Sequence, residues 1–336
     1  MTTIRRIPHR AGETLKVGVI GLGVMGQRML ARLATQKRLR AVAVWDADPA
    51  AMAATLKAHP QLQAATSAEA LIATRGLHSL YIATPPSPHM ALSELGFDAG
   101  LAVFCEKPLT VDFDAARRCI ARIAGEGQRA AVNFALASSP GLSVLQTSFG
   151  AASHQPLGTL REVQIELAFA HWPRAWQSAA GAWLAERAEG GFTREVLSHF
   201  IFVLQRVLGP ARIGAHRVSY PEDGLSAESA MRAELHVGEV PIRIDSRVGG
   251  DERPDYNRML WRADGGEVEL SGWFGQIEQR RHDGSLPVDD PDIVRSASQA
   301  DQINQWAAMI EGRSHSLPGY AESLAVQETI EGMLKT

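Results

Sequence analysis

A short apolar run leads directly into a glycine-rich turn near the start of the chain, in the segment KVGVIGLGVMG at residues 16–26. Gly21 permits a tight turn, Gly23 lets the backbone approach a ligand without an intervening Cβ, and Gly26 lets the next helix pack closely on the strand. A strand that turns into a helix in this way presents unpaired backbone N–H groups at the positive end of the helix, which binds a pyrophosphate. The segment therefore predicts a dinucleotide-binding domain. Its expected cofactor contacts are Gly21, Gly23, Val24, Met25 and Gly26.

An acidic residue, Asp46, ends the second apolar segment, Ala41–Asp46, twenty residues after Gly26. In dinucleotide-binding folds a carboxylate at about this distance accepts hydrogen bonds from the adenosine ribose. Its charge repels a 2′-phosphate, and the next three residues supply no Arg or Ser that could hold one. We therefore expect NAD, and NADP less. An alternative role for Asp46 is to cap the next helix, which is expected to begin at Pro49.

The length and the composition indicate two domains of ordinary globular character. The 336 residues exceed what a single core usually fills, and the apolar and charged fractions, 45% and 21%, are close to the average. A net charge of −3 gives no electrostatic reason to expect nucleic acid or an anionic membrane as a partner. Cys105 and Cys119 fit no disulfide or zinc pattern. These features are typical of a cytoplasmic protein without a metal.

Alternating strand and helix signals predict a doubly wound parallel sheet, a Rossmann domain, from residue 15 to residue 135. The residues before it, 1–14, are polar and basic and are expected to form a flexible arm. The predicted strands are Lys16–Gly21, Ala41–Asp46, Ser79–Ala83, Ala102–Cys105 and Ala130–Phe134.

Shorter alternating segments predict a different architecture between residues 136 and 300, an α+β domain with a mostly antiparallel open sheet. Asp264–Gly266 separates two of these segments and is typical of a hairpin turn. An acidic loop at Pro287–Pro291 and the isolated His282 show no pattern of metal ligands. Residues 301–336 are expected to form C-terminal helices that pack back toward the Rossmann domain.

Ligands of parallel sheets bind beyond the carboxyl ends of the strands, so that polar residues at these ends are candidate site residues. Thr84, Pro85 and Pro86 follow the third predicted strand, and the prolines make this loop rigid enough to hold a ribose or a nicotinamide. Ser87 is the expected N-cap of the next helix. His89, in the first turn of that helix, is either a further cofactor contact or a packed imidazole.

Two charged residues, Glu106 and Lys107, follow the fourth predicted strand and precede Pro108. At the end of a buried strand they are expected to point into the ligand cleft, because isolated charges in such a place are costly unless they serve a function. The alternative is a solvated charge pair. We take both as cofactor contacts, and Lys107 also as a catalytic residue for the reason that follows.

The glycine turn, Asp46, A-T-P-P-S-P-H and C-E-K-P-L together resemble the Gfo/Idh/MocA family, named after glucose–fructose oxidoreductase and inositol dehydrogenase. Within this set, E-K-P is the most specific signature of the family. Two later segments, residues 190–201 and 301–313, resemble its central glycine–acid–histidine pattern and its late helix. The resemblance thus touches both ends and the middle of the chain.

The resemblance implies specific roles for individual residues. Lys107 corresponds to a catalytic lysine between nicotinamide and substrate, and Pro108 to a proline that commonly follows a cis peptide bond. His199 corresponds to the usual proton donor or acceptor, and Glu195 replaces the Asp that contacts the substrate in relatives. Glu195 and His199 are four residues apart and would share one face of a helix, where the acid could orient the histidine. A purely structural pair is the alternative. Arg194, which lies beside the acid, is a further candidate substrate contact.

A loop rich in tryptophan follows the first strand of the second domain. Trp172, Arg174 and Trp176 could stack on a substrate ring and hold an acidic or hydroxyl group. A lid or interface segment with packed tryptophans is the equal alternative. The open sheet is expected to expose an apolar face, which a partner subunit would cover in a homodimer or homotetramer.

The resemblance implies an NAD-dependent oxidoreductase that transfers a hydride between the cofactor and a carbinol or carbonyl of a sugar, cyclitol or related small polar substrate. Two alternatives stay open from the sequence. One is redox-assisted glycoside hydrolysis with retained NAD, and the other is a non-catalytic sensor of NAD or a metabolite. The joint presence of Lys107, Glu195 and His199 argues against a sensor, which has no need of all three.

Overall fold

The computed structural model describes residues 12–151, 153, 157–249, 255–281, 284–285 and 291–335. Most of the predicted N-terminal arm, His282 and most of the acidic loop lie outside the described residues. The chain divides into two compact units. One comprises the chain up to Phe134 together with Asp301–Leu324, and the other comprises Ala135–Ala300 together with Ala325–Thr336.

The first unit contains a parallel sheet of six strands within the described residues, in the order β3-β2-β1-β4-β5-β6. The strands are β1 Leu15–Ile20, β2 Leu39–Trp45, β3 Gln63–Ala64, β4 Ser79–Ile82, β5 Ala102–Glu106 and β6 Ala130–Asn133. The predicted doubly wound sheet is therefore confirmed. The order reverses between β1 and β4, and such a switch point is where dinucleotides bind in this class of sheet.

Helices connect the strands of the first unit, and short polar side chains fix where most of them begin. They are α1 Val24–Ala34, α2 Pro49–Ala58, α3 Ala68–Ile72, α4 His89–Asp98 and α5 Phe113–Glu126. The side chains of Asp48, Ser67 and Asp112 accept backbone N–H groups and cap α2, α3 and α5. The predicted cap of α4 by Ser87 is wrong, because the N-cap is Pro88. A turn that joins the His89 N–H to the Pro86 carbonyl precedes the helix.

A late segment of the chain completes the core of the first unit. Within α8, Pro291–Glu311, the side chains of Ile303, Trp306 and Ile310 recur on one face and are buried with those of β1, β4 and β5. After α8, the Pro318 carbonyl accepts the N–H of Val132 in β6. The division between the units falls within α8 and again within α9, Tyr320–Leu334.

The second unit contains a sheet of eight strands in the described residues, in the order β14-β13-β12-β11-β7-β10-β9-β8. The strands are β7 Leu160–Phe169, β8 Arg212–Ser219, β9 Ala230–Val237, β10 Val240–Val248, β11 Asp255–Ala263, β12 Gly266–Ser271, β13 Gln276–Arg281 and β14 Gly284–Ser285. Its pairs are antiparallel except β7 with β10, so the sheet is mixed but mostly antiparallel, as predicted. Asp264 and Gly265 form the predicted hairpin turn. The helices α6 Pro140–Phe149 and α7 Ser198–Leu208 lie wholly within this unit.

One face of this sheet carries charge where the sequence led us to expect an apolar surface. In β7 the buried residues alternate with the half-buried Glu162, Gln164 and Glu166. Glu162 accepts from Arg243 of β10 and Arg262 of β11. A cavity of about 550 Å³ lies over this charged face. Among the described residues, this face thus carries charge in place of the apolar surface that motivated the oligomer prediction, and the oligomer itself stays a prediction. Among the described helices, none has the length and apolar composition needed to cross a bilayer.

Candidate functional site

The glycine turn after β1 has the geometry that its three glycines permit. Gly21 has a φ of 93°, and a Cβ there would lie 2.5 Å from the carbonyl carbon of Ala83 after β4. A Cβ at Gly26 would overlap the carbonyl oxygen of Gly21. A Cβ at Gly23 would meet no atom within 4 Å. Gly21 and Gly26 therefore serve close packing within the protein, whereas Gly23 keeps a space open beside the turn.

The N-terminus of α1 suits an anion. Gly23 is its N-cap, no side chain caps it, and no acidic residue lies in its first turn. The N–H of Gln27 donates to the Gly23 carbonyl, so that the N–H groups of Val24, Met25 and Gly26 precede the helical hydrogen-bond ladder. Together with the space at Gly23, these donors fit the pyrophosphate of a dinucleotide.

Asp46 joins the end of β2 to the glycine turn. Its Oδ2 accepts the N–H of Leu22 at 2.6 Å, and its Oδ1 accepts the N–H of Asp48 at 2.8 Å. The helix-capping role considered for Asp46 belongs to Asp48, which accepts the N–H of Ala50. The carboxylate of Asp46 therefore stands at the carboxyl end of β2, where ribose recognition is expected, and it also stabilises the turn.

The loop after β4 and the turn after β5 meet at a buried histidine. Nε2 of His89 lies 2.9 Å from the carbonyl oxygen of Thr84, and Nδ1 lies 3.0 Å from that of Pro108 and 3.2 Å from that of Leu109. The hydroxyl of Thr84 is buried and has no hydrogen-bond partner among the residues that the structure describes. That hydroxyl supports the predicted cofactor contact of Thr84. Beside it, Pro85 is exposed and Pro86 is buried.

Glu106 does not extend into an open cleft, as the sequence led us to expect, but is 4% exposed. It accepts the hydroxyl of Tyr81 and, at 2.7 Å, the amide of Asn133. Gln302 donates to Asn133 at 2.6 Å and is itself bound by Arg32. Burial and the neighbouring carboxylate raise the pKa of the Tyr81 hydroxyl well above its ordinary value. This network anchors the carboxyl end of β5.

Lys107 directly follows this anchored strand end and is half-buried. The peptide bond between Lys107 and Pro108 is cis, as the resemblance implied. The turn after β5 thus lies at the same edge of the parallel sheet as the glycine turn, Asp46 and Thr84.

In the second unit, Glu195 lies in a π-helical turn, Thr193–Leu197, and His199 lies in α7 directly after it. Their spacing of four residues predicts one shared face if the segment is α-helical. A π-helix closes its hydrogen bonds over five residues, so that this spacing does not apply across the turn, and such turns are frequent at functional sites. The helical context is confirmed, the turn is π-helical where an α-helix was assumed, and the shared face of the two side chains stays a prediction.

A buried carboxylate that the sequence did not reveal fixes the start of the π-helical turn. Glu228 is 2% exposed, and its Oε1 accepts the N–H of Thr193 at 2.7 Å. Gly191 makes room for it, because a Cβ there would overlap the other carboxylate oxygen. Burial raises the pKa of Glu228. Glu228 is 35 residues from Thr193 along the chain, so the sequence alone does not predict this contact.

The tryptophan-rich loop forms an aromatic cluster around Arg174. The guanidinium carbon of Arg174 lies 4.6 Å from the ring centroid of Trp176, 5.2 Å from that of Trp273 and 5.7 Å from that of Trp172. Arg174 also donates to Asp255 at 2.9 Å. Trp176 is 43% exposed and presents an aromatic surface. The Nε1–H of Trp172 donates a hydrogen bond to the carbonyl of Leu184.

Trp273 links the cluster to His199, and the sequence did not single it out. Its ring packs edge-on against that of His199, with centroids 6.1 Å apart. Trp273 and Phe274 have φ values of 59° and 60°, in the left-handed region. This conformation is rare for bulky side chains and costs roughly 1–3 kcal/mol for each residue. A hydrogen bond from the Trp273 N–H to Asn257 helps to hold it.

Arg194 differs from the substrate contact that the sequence predicted. It donates to Glu331 at 2.6 and 2.9 Å and to the carbonyls of Arg187 and Gly190. These contacts favour a structural role. Within the described residues, no group of three or more His, Cys, Asp or Glu side chains is placed to hold a metal ion.

Comparison with known proteins gives one match to a family and many to solved structures. Residues 15–134 match the profile of the oxidoreductase family with an NAD-binding Rossmann fold, GFO_IDH_MocA. Inositol 2-dehydrogenase from Corynebacterium glutamicum (strain R) is 33% identical over 109 residues, which cover 32% of this chain and 32% of that protein. The alignment thus spans about a third of this curated relative.

Two solved structures resemble this chain over almost its whole length. An oxidoreductase from Agrobacterium radiobacter, solved in complex with NAD+, L-tartaric acid and magnesium, has a TM-score of 0.79 at 16% identity and covers 95% of each chain. UDP-N-acetylglucosamine 3-dehydrogenase from Acidithiobacillus ferrooxidans has a TM-score of 0.74 at 18% identity and covers 96% of this chain and 100% of its own. At these identities the likeness shows the fold. The profile match and the glycine turn together establish that residues 15–134 form a Rossmann domain of the Gfo/Idh/MocA oxidoreductase family.

Proposed function

We propose that this protein is an NAD-dependent oxidoreductase that transfers a hydride between the cofactor and a carbinol or carbonyl carbon of a neutral, cyclic, polyhydroxylated substrate. The observation that carries the proposal is the edge of the first sheet. There the open space at Gly23, the first-turn donors of α1 and the carboxylate of Asp46 meet the turn that bears Lys107. The NAD-binding family of the domain and its named dehydrogenase relatives support the proposal.

In this proposal the cofactor supplies the hydride acceptor, and the side chains orient the substrate and move its proton. Lys107 stabilises the oxygen of the carbinol as negative charge develops on it. Its position at the end of a strand anchored by Glu106 limits its motion, which favours a defined reaction geometry. The rigid loop at Thr84–Pro86 lies beside the glycine turn and holds the cofactor.

For the second unit we propose that His199 accepts or donates the proton of the reacting substrate hydroxyl and that the Glu195 carboxylate accepts a hydrogen bond from a substrate hydroxyl. The charges around the aromatic cluster indicate which substrates suit these residues. Arg174 is paired with Asp255, and Arg194 with Glu331. Both positive charges are therefore compensated and provide little attraction for a substrate carboxylate. Substrate hydroxyl groups suit the carboxylate of Glu195, and the C–H face of a substrate ring suits the exposed surface of Trp176.

The test is a panel of neutral cyclitols, neutral sugars and sugar acids, each incubated with the purified protein and NAD while NADH absorbance is followed. We expect NADH to accumulate in proportion to the substrate consumed, and neutral cyclic polyols to react faster than sugar acids. Release of sugar from glycosides without accumulation of NADH would replace the proposal by redox-assisted hydrolysis. Binding of NAD without any turnover across the panel would favour a sensor.

Asp46→Ala tests the cofactor preference. We expect weaker binding of NAD and a smaller preference for NAD over NADP, because the carboxylate no longer accepts ribose hydroxyls or repels a 2′-phosphate. The measurement is the dissociation constant of each cofactor by calorimetry. Asp48→Ala is the matched control, since Asp48 caps α2, and it should change stability by about 1 kcal/mol without changing the preference. An unchanged ratio of the two constants in Asp46→Ala contradicts the ribose role.

A further inference from the structure

His89 is a buried side chain at the point where two candidate site loops meet. It is fully buried at the first residue of α4. One ring nitrogen faces the carbonyl of Thr84, in the loop after β4, and the other faces the carbonyls of Pro108 and Leu109, in the turn that follows Lys107. A fully buried ring offers little surface to a cofactor, so these contacts point to a role other than the cofactor contact expected from the sequence.

The three partners of the ring are all carbonyl oxygens, which only accept hydrogen bonds. Each ring nitrogen can therefore bond to its partner only by donating a proton. Burial lowers the pKa of His89, against the opposing effect of the carbonyls. A neutral ring donates from one nitrogen at a time, and exchange of the tautomer moves the hydrogen bond from one loop to the other.

We propose that His89 is a positioning residue whose two tautomers bond in turn to the Thr84 loop and to the Lys107–Pro108 turn, so that one side chain sets both the cofactor loop and the place of Lys107. This inference rests on the proposed function, which gives Thr84 to the cofactor and Lys107 to catalysis. Each of the two bonds then has its own consequence. The bond to Thr84 affects cofactor binding, and the bonds to Pro108 and Leu109 affect turnover.

Two amide substitutions separate the bonds. The amide nitrogen of Asn occupies approximately the place of Nδ1, and that of Gln approximately the place of Nε2. His89→Asn should keep the bond to the Lys107 turn, retain kcat within about threefold and weaken NAD binding by about tenfold. His89→Gln should keep the bond to Thr84 and retain the NAD dissociation constant within about threefold. Its kcat should fall by about 10–100-fold, because small displacements of a catalytic group have effects of this size.

The readouts are kcat with the reactive polyol and the NAD dissociation constant by calorimetry. Buried His78 supplies the matched control, since its Nδ1 accepts the N–H of Lys16. His78→Asn and His78→Gln should not separate kcat from the dissociation constant. Parallel changes in both quantities for the two His89 variants, or no change in either, overturn the proposal, because a merely structural role moves them together.

The wild-type protein provides a second test that does not depend on the folding of variants. Nitrogen-15 spectra of histidine-labelled protein should show a His89 ring N–H that is protected from exchange with water. Free exchange of this proton overturns the proposal. Failure of the proposed function has a different signature, because then no polyol is oxidised, while the NAD dissociation constants of the His89 variants still test the bond to Thr84.

Discussion

Lys107→Met is expected to lower kcat by about 10²–10⁴-fold while the dissociation constant of NAD stays within about threefold of the wild-type value. Methionine keeps an unbranched side chain of similar length but carries neither the charge nor the proton of the ammonium group. Lys107 follows the anchored strand β5 and precedes the cis bond to Pro108. Loss of the charge should therefore remove stabilisation of the substrate oxygen without disturbing the glycine turn.

The measurement is steady-state turnover of the reactive polyol, with NAD binding by calorimetry on the same preparations. Lys57→Met is the matched control, because Lys57 lies exposed in the last turn of α2. The substitution removes the same charge and introduces the same side chain. It should leave both quantities unchanged. Turnover of Lys107→Met close to the wild-type value would remove Lys107 from the mechanism, while a loss of NAD binding would assign it to the cofactor site instead.

The parallel sheet could be predicted because its signals are local. The buried strand Ala102–Glu106 appears in the sequence as an apolar run up to Cys105. The glycines of the turn are needed because of contacts with nearby backbone. The strand Gln63–Ala64 could not be predicted in this way. It is two residues long and exposed, and it exists through its pairing with β2.

Site residues were harder to predict where a distant partner decides their role. Arg174 lies in the tryptophan-rich loop and Arg194 lies beside Glu195, positions that suggest substrate contacts. Their partners Asp255 and Glu331 are 81 and 137 residues away. Glu228, which fixes the π-helical turn, lies 35 residues from Thr193. Pairing over such separations depends on the tertiary fold of the second unit. Residue type and spacing along the chain do not predict such long-range pairs.

Glu106 shows the same limit within a correctly predicted motif. A charge at the end of a buried strand is costly unless it has a partner, and from the sequence we expect that partner to be the ligand. The structure supplies Tyr81 and Asn133 as partners. Lys107 is therefore adjacent to a residue, Glu106, whose carboxylate is hydrogen-bonded within the protein and helps to hold the strand end in place. The E-K-P motif thus combines one structural and one candidate catalytic residue.

Trp306→Ala is expected to lower the free energy of unfolding by about 3–5 kcal/mol, the largest stability effect that we predict. Trp306 is fully buried, and its ring centroid lies 5.0 Å from that of Phe104 and 5.7 Å from that of Tyr81. Its Nε1 donates to the hydroxyl of Ser79 at 3.0 Å. The substitution would leave a cavity between α8 and the parallel sheet, because the neighbouring strands are fixed by their own pairing.

Trp306→Phe is the matched variant, because it keeps most of the aromatic contact and removes the donor to Ser79. That hydroxyl still donates to the carbonyl of Ala102, so we expect a smaller loss of about 1–3 kcal/mol. The measurement is urea unfolding followed by far-ultraviolet circular dichroism, with NAD-binding competence as the probe of the first unit, since two units need not unfold together. A loss below about 1 kcal/mol in Trp306→Ala would contradict the placement of this helix in the core. A loss of the predicted size means that the Rossmann unit depends on residues more than 200 positions beyond its first strands.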